Sequence, residues 1–216
     1  MKRGILLAAA LGLAACRGTV PERDAPPEEA ISAVVIGARM ILPSGESRNG
    51  SAAVNFETDG GTRAEVYRLP LRAAENVLYL VEPGTYRFAP TRSIFGFYQS
   101  QLTVVIDGRR YRLPFPRELE RLNSYAVKPT KILALGILEI KVLPALPGRD
   151  PEVRVRLDDS VLARRQLVQN MIREMMDTTR PLEARESAVS WSRALQNSLM
   201  DILSEEDHRP MYTPAP

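Results

Sequence analysis

Between residues 31 and 143 the apolar residues occur in short runs rich in Val, Ile and aromatic side chains, separated by turn residues and without a helical period. Runs of this kind predict β-strands. The longest run begins at Ile132 and ends in alternating polar and apolar residues, Glu139-Ile140-Lys141-Val142. It is too short and too charged at its end to cross a membrane. The predicted strands are residues 31–42, 51–56, 63–71, 77–81, 85–89, 101–106, 109–113 and 131–143.

Turn residues join several of these strands. Asp107-Gly108 predicts a two-residue hairpin, because glycine tolerates the positive φ that such turns need. Asp59-Gly60-Gly61 and Pro83-Gly84 predict two further turns.

A stretch of about 110 residues can form one hydrophobic core without disulfides, and two packed antiparallel sheets are the usual solution. The strand-turn-strand segment from Tyr79 to Phe88 resembles small sandwich domains of envelope proteins. We therefore predict a β-sandwich over residues 31–143.

After residue 143 the pattern changes. Residues 144–157 are a proline-rich joint with room for one short strand, and Asp158-Asp159-Ser160 are suited to begin a helix. Pro181 separates this helix from a second one over about residues 182–203. The short connection predicts an antiparallel helical hairpin over residues 158–205. The predicted fold class is therefore α+β, an antiparallel β-sandwich followed by a C-terminal helical hairpin.

Both predicted helices carry an apolar stripe at three- and four-residue spacing. Met171 and Met175 lie on the first stripe, and Trp191 and Leu195 on the second. We favour internal packing, because stripes at helical spacing usually belong to a core. The alternative is a docking surface for another protein, for which Met and Trp provide adaptable and extensive contacts.

The N-terminus has the features of an export signal. A basic start, Met1-Lys2-Arg3, precedes an apolar run that is too short to span a bilayer, so we predict a signal peptide over residues 1–15. Leu13-Ala14-Ala15-Cys16 closes this run with small residues before the only cysteine of the chain. This segment resembles the lipobox of bacterial lipoproteins.

The lipoprotein resemblance implies diacylglycerol on the Cys16 thiol, cleavage between Ala15 and Cys16, and acylation of the new amino terminus. Lipid chains on one residue anchor a protein stably when there are two or more of them. Because Arg17 and not Asp follows the cysteine, the resemblance implies the outer membrane. The alternative is an ordinary secretory signal that contains an unpaired thiol.

Two segments are predicted to lack a fold of their own. Residues 16–30 contain Pro21, Pro26 and Pro27 with little to bury, which predicts a lipidated flexible tether. Residues 206–216 carry further prolines and no periodicity, which predicts a disordered tail. The tether would allow the folded part to reach a partner beyond the lipid surface.

Charge gives little sign of a polyanionic partner. The chain has 29 basic and 26 acidic residues, and loss of Lys2 and Arg3 with the signal leaves 27 basic against 26 acidic residues. In the sequence the basic residues are scattered among acidic ones and form no stripe interleaved with aromatic residues. We therefore expect a solvated mixed-charge surface and no nucleic-acid partner, despite a pI of about 9.2.

The residues that many enzymes need are scarce. The only histidine, His208, lies in the predicted tail, and the only cysteine is assigned to lipid. This argues against Ser-His-acid and Cys-His chemistry and against an ordinary zinc site, and no phosphate-binding loop or dinucleotide motif occurs. We predict no enzyme activity, metal or cofactor. A carboxylate pair is the remaining enzymatic alternative, and its candidates are Glu57, Asp59, Glu65, Glu82 and Glu139.

Aromatic residues concentrate in the middle of the β region, where Phe95, Phe97 and Tyr98 are candidates for stacking on a ligand. Core packing explains most of the others. The sequence thus predicts a lipid-anchored, non-enzymatic cell-envelope protein that acts as a scaffold or docks an envelope protein partner. The alternative is a lipoprotein that binds a glycan or small ligand through these aromatic residues.

Overall fold

The computed structural model describes residues 32–58, 66–90, 101–121, 124–145, 147, 151–176 and 182–207. The strands are β1 (Ala33–Leu42), β2 (Gly45–Ser47), β3 (Gly50–Thr58), β4 (Val66–Arg72), β5 (Asn76–Leu80), β6 (Gly84–Ala89), β7 (Gln101–Ile106), β8 (Arg109–Pro114), β9 (Tyr125–Val127), β10 (Ile132–Val142) and β11 (Val153–Asp158). The helices are α1 (Arg117–Arg121), α2 (Val161–Met175) and α3 (Leu182–Asp207). The predicted signal, tether and tail from residue 208 lie outside the described residues.

The first sheet has five strands. β11, β10 and β1 are neighbours in that order, and β5 and β2 pair one after the other along the free edge of β1, β5 with its first half and β2 with its last residues. β1 and β10 are parallel, although an antiparallel sandwich was predicted. Residues 33–36 and 132–135 are uninterrupted apolar runs, and such runs suit parallel strands covered on both faces. The other strand pairings in the described residues are antiparallel.

A β-bulge in β10 changes which side chains face which layer. Val35 pairs with Ala134, but the next residue, Ile36, pairs with Gly136, so Leu135 is the additional residue of β10. Gly136 has a φ of 118°, a conformation that L side chains rarely adopt. The bulge shifts the alternation by one residue, so that Leu133 and Leu135 before it and Leu138 and Ile140 after it all face the second sheet.

The second sheet has six strands. β4 pairs along one edge of β3, and β7 and β6 pair with different parts of its other edge. β8 then pairs with β7, and β9 pairs with β6. The predicted hairpin between β7 and β8 is confirmed: Asp107 and Gly108 have φ values of 48° and 77°, as a two-residue turn of the primed type requires.

The main core lies between the two sheets. Alternate residues of β1, including Val34 and Ile36, pack against residues of β3, including Val54 and Phe56, and all four are fully buried. Phe56 stacks on Tyr86 with 4.9 Å between the ring centroids. This face-to-face arrangement of sheets is the predicted sandwich.

The helical hairpin covers the outer face of the five-stranded sheet. Ala33 and Val35 of β1 pack with Met171 of α2 and Trp191 of α3 in a second buried cluster. α2 begins where predicted, because the Ala163 N–H donates to the Ser160 side-chain oxygen at 3.2 Å. The α+β class is confirmed, with three layers in all: hairpin, five-stranded sheet and six-stranded sheet.

Three short elements, β2, β9 and α1, were not predicted, because three to five residues carry too little pattern to be recognised. β11 is the strand in the proline-rich joint and extends the first sheet beyond β10. None of the helices in the described ranges is long and apolar enough to cross a membrane.

Candidate functional site

One side of the sandwich ends in two strand edges that no described strand pairs with. β8 is the last strand of the six-stranded sheet, and β11 is the last strand of the five-stranded sheet. The short helix α1 packs against β6 of the six-stranded sheet and against β11 of the five-stranded sheet. We call the depression between β8, α1 and β11 the side groove.

The side groove consists of two adjoining cavities of about 520 and 440 Å³. Both are lined by Leu113, Pro114, Glu152 and Val153. The larger cavity continues past α1 along β11 and the exposed end of β10, and the smaller one follows β8 toward its hairpin turn. The groove is therefore a long surface feature whose centre combines three apolar residues with the carboxylate of Glu152.

The rims of the side groove are basic. On β8, Arg110 and Arg112 alternate with the partly buried Tyr111 and the buried Leu113, so the two arginines lie on the outer face of their sheet. On β11, Arg154 and Arg156 alternate in the same way with the buried Val155 and Leu157. The set of cationic side chains lining the groove is completed by Arg109, Arg117 and Lys141.

Few carboxylates offset this charge. Glu139 lies 3.2 Å from the Arg39 guanidinium, which belongs to β1, and Glu152 lies 2.8 Å from Arg154. Among the described residues no carboxylate forms an ion pair with Arg110 or Arg112. The groove therefore presents a local excess of positive charge on a chain that is nearly neutral overall.

The expectation of a mixed-charge surface without a basic stripe is wrong at this place. Arg154 and Arg156 are far from Arg110 and Arg112 in the chain, and only the packing of two sheets brings β8 and β11 to the same side. The signal that sequence reasoning missed is the alternation in Arg110-Tyr111-Arg112, where both arginines fall on one face of a strand. Arg109 contacts the same tyrosine, with its guanidinium carbon 5.7 Å from the ring centroid.

The residues proposed for docking on the helical hairpin are interior. Met171 and Leu195 are 0% exposed, Trp191 is 1% exposed and Met175 is 3% exposed. They pack in the cluster between the hairpin and the five-stranded sheet. In the folded chain a partner cannot contact these side chains. The stripes therefore pack internally, as we favoured from the sequence.

The aromatic candidates for ligand stacking, Phe95, Phe97 and Tyr98, lie outside the described residues. Two of their neighbours in sequence, Tyr86 and Phe88, are buried in the main core around Phe56. Those two rings are therefore packing residues.

The candidate carboxylates do not form a pair in the part of the chain that the structure describes. Glu57 is buried in the six-stranded sheet with the Arg87 guanidinium at 3.2 Å, while Glu139 belongs to the five-stranded sheet. Glu82 is exposed, and Asp59 and Glu65 lie outside the described residues. The described ranges contain no group of three His, Cys, Asp or Glu side chains that could hold a metal.

Two tyrosines, the buried Tyr79 and the partly buried Tyr125, have shifted pKa values. Burial raises the pKa of Tyr79 to about 12, and nearby Glu75 adds to the shift. Burial also raises the pKa of Tyr125 to about 12, with a further contribution from Asp159. The Tyr79 hydroxyl donates to the Pro70 carbonyl, so this shift reflects structural packing away from the side groove.

Comparisons with known proteins give little further information. No protein-family model and no curated protein matches the chain. One crystal structure, described as a "putative cell adhesion protein" from Bacteroides ovatus, is weakly similar, with 9% identity and a TM-score of 0.24. The similarity covers 59% of this chain and 45% of that chain, so this chain spans less than half of that protein's length. A likeness this low carries no argument about function.

Proposed function

We propose that the protein is a lipid-anchored, non-enzymatic scaffold of the cell envelope, held at the outer membrane through Cys16, that docks an envelope protein in the side groove. The lipobox residues Leu13-Ala14-Ala15-Cys16 support the anchor. The basic side groove supports docking and is the single observation that carries this part of the proposal.

The distribution of apolar surface also favours docking at the groove over docking on the hairpin. The apolar stripes of α2 and α3 are used to cover the five-stranded sheet. The large apolar side chains that remain exposed in the described residues are dispersed over α2, the residue after it and α3: Leu162, Met176, Val189 and Met200. Single exposed apolar residues are common on protein surfaces and do not indicate an interface.

The anchor is tested by Cys16→Ser. We expect this variant to lose incorporation of labelled palmitate and to remain uncleaved at Ala15, because the thiol is the lipid acceptor. Cleavage at this position and release of a protein without lipid would instead support the ordinary secretory signal.

Docking is tested by a photo-crosslinking residue introduced at Arg112 in living cells. We expect a discrete crosslinked product, which is lost when Arg110→Glu reverses the charge beside it on the same face of β8. A crosslinker at the exposed Arg68 on β4, which belongs to the opposite edge of the six-stranded sheet, is the matched control. Identical products from positions 112 and 68 would contradict docking in the groove.

The glycan-binding alternative depends on Phe95, Phe97 and Tyr98 and stays a prediction. It requires binding to peptidoglycan or polysaccharide that falls when Phe97 and Tyr98 are changed to Ala. Binding that persists in this double variant, or is absent from the unchanged protein, would remove the alternative.

A further inference from the structure

We propose that the side groove takes an extended, acidic segment of a partner protein, which adds as a strand to the edge of β8. This inference rests on the proposed docking function and goes beyond it by naming the chemistry of the occupant. It is carried by the main chain of β8, by the alternation of side chains along β8, and by the charge of the groove.

The main chain of β8 offers groups that suit a polypeptide. In a two-residue hairpin the residues next to the turn, Ile106 and Arg109, exchange hydrogen bonds, and bonded positions then alternate along the strand. Tyr111 and Leu113 therefore bond to β7, whereas the backbone groups of Arg110 and Arg112 point toward the groove. An added strand satisfies both N–H and C=O groups, but a simple anion satisfies only the N–H groups.

The side chains around the edge specify what the added strand should carry. Its outward residues would lie beside Arg110 and Arg112, and its inward residues would lie beside Tyr111 and Leu113. Opposite charges on neighbouring strands stabilise a pairing, and aromatic residues pair well with β-branched ones. The occupant that fits best alternates acidic and apolar residues.

The opposite rim strengthens the same preference. Arg154 and Arg156 of β11 and Lys141 of β10 line the larger cavity and project from the outer face of the five-stranded sheet. Arginine binds carboxylates through two parallel hydrogen bonds, which adds geometric specificity to the attraction. The β11 arginines therefore raise the positive potential along the groove, while Arg110 and Arg112 are the arginines placed to bind carboxylates of a strand added to β8.

A second copy of this chain is a poor occupant of the β8 edge. Pairing two β8 edges would bring Arg110 and Arg112 of one copy close to the same arginines of the other. Like charges facing each other across a strand pair are destabilising, and charged edges are a common protection against self-association. The charge that disfavours self-pairing favours an acidic partner.

The position of the groove also separates it from the start of the folded region. The chain enters β1 at Ala33, whereas Lys141 pairs beside Ile41, eight residues further along. This corresponds to about 26 Å along the strands at ~3.3 Å per residue. A site at that end is placed to meet a partner away from the attachment point of the predicted tether.

The inference is tested with a fluorescent peptide of four Glu-Val repeats and the chain purified from membranes in non-ionic detergent. Fluorescence anisotropy should show saturable binding that weakens as salt is raised, because exposed charges are screened. Arg110→Glu with Arg112→Glu should weaken binding at least tenfold, while Arg68→Glu should leave it unchanged. Equal thermal melting of the three proteins checks that each is folded.

Three control ligands separate a strand from a simple anion. We expect no binding of a Lys-Val peptide and none of a Glu-Val peptide that is N-methylated at every residue, since the latter keeps the charge but lacks backbone donors. Glycerol phosphate at equal ionic strength should not displace the bound peptide.

Two results would overturn the inference. One is equal binding of the N-methylated peptide, or displacement by glycerol phosphate, either of which would identify a general anion site. The other is no binding of the Glu-Val peptide to the folded chain. If the crosslink at position 112 persists in that case, docking stands and only the acidic strand is excluded; loss of both would exclude docking as well.

Discussion

Gly136 in the bulge of β10 lies so close to Asp158 that a Cβ on the glycine would be 2.3 Å from the Asp158 carbonyl oxygen. Asp158 ends β11, and α2 begins three residues later. The absence of a side chain at position 136 therefore lets the five-stranded sheet and the start of the hairpin approach each other.

Gly136→Ala should lower the free energy of unfolding by more than about 2 kcal/mol, because it adds a clash with backbone to the strain of a positive φ. Gly45→Ala is the matched control: Gly45 has a φ of 125°, but nothing lies within 4 Å of the Cβ position. It should cost about 1–2 kcal/mol from φ strain alone. Urea unfolding measures both, and equal losses would show that the contact with Asp158 is unimportant.

Leu195→Ala should destabilise the protein by about 2–5 kcal/mol, because the leucine is fully buried between the hairpin and the sheet. Met200→Ala on the same helix should change stability by less than about 0.5 kcal/mol, since Met200 is 65% exposed. Thermal and urea unfolding provide the comparison. A Leu195→Ala protein of unchanged stability would return this stripe to consideration as a docking surface.

A chain truncated after residue 150 should fail to fold cooperatively. The truncation removes β11, which pairs along β10, and both helices that bury Ala33 and Val35. The exposed sheet face should bind a hydrophobic dye, and the sharp thermal transition should disappear. A truncated chain that melts as sharply as the full chain would mean that the sandwich is stable without its third layer. Such a truncation is therefore unsuitable for mapping a partner.

Stability should fall as the pH rises from 10 to 12. Tyr79 and Tyr125 have folded-state pKa values of about 12 against an ordinary value of 10, so over this interval the unfolded chain loses protons that the folded chain retains. The contribution of these tyrosines to the free energy of unfolding is fully present below pH 10 and is lost as the pH approaches and passes 12. Urea unfolding at several pH values measures this, and Tyr125→Phe should flatten the decline. An unaltered slope in that variant would show that Tyr125 does not contribute.

Local patterns in the sequence were sufficient for most of the fold. Short runs of β-branched and aromatic residues between turns located the longer strands, Asp107-Gly108 located the β7–β8 turn, and Ser160 located the start of α2. These features depend on backbone preferences and on side chains within a few residues, so they can be recognised without knowing the distant partner. The lipobox at Cys16 belongs to the same kind of signal and stays a prediction, together with the anchor that it implies.

The relations between distant segments required the tertiary structure. Uninterrupted apolar runs fit a buried strand of either direction, so the parallel pairing of β1 with β10 and the bulge at Gly136 could not be assigned from the sequence, because direction and register depend on what covers each face. The side groove is the clearest example, since the edges of β8 and β11, with their basic side chains, come to the same side only after two sheets have packed. The sequence by itself determined the types of element and the predicted anchor. Only packing decided that the apolar stripes of the hairpin are interior and that the basic edges of β8 and β11 lie on the same side. Burial and local charge density depend on surfaces that many distant segments build together.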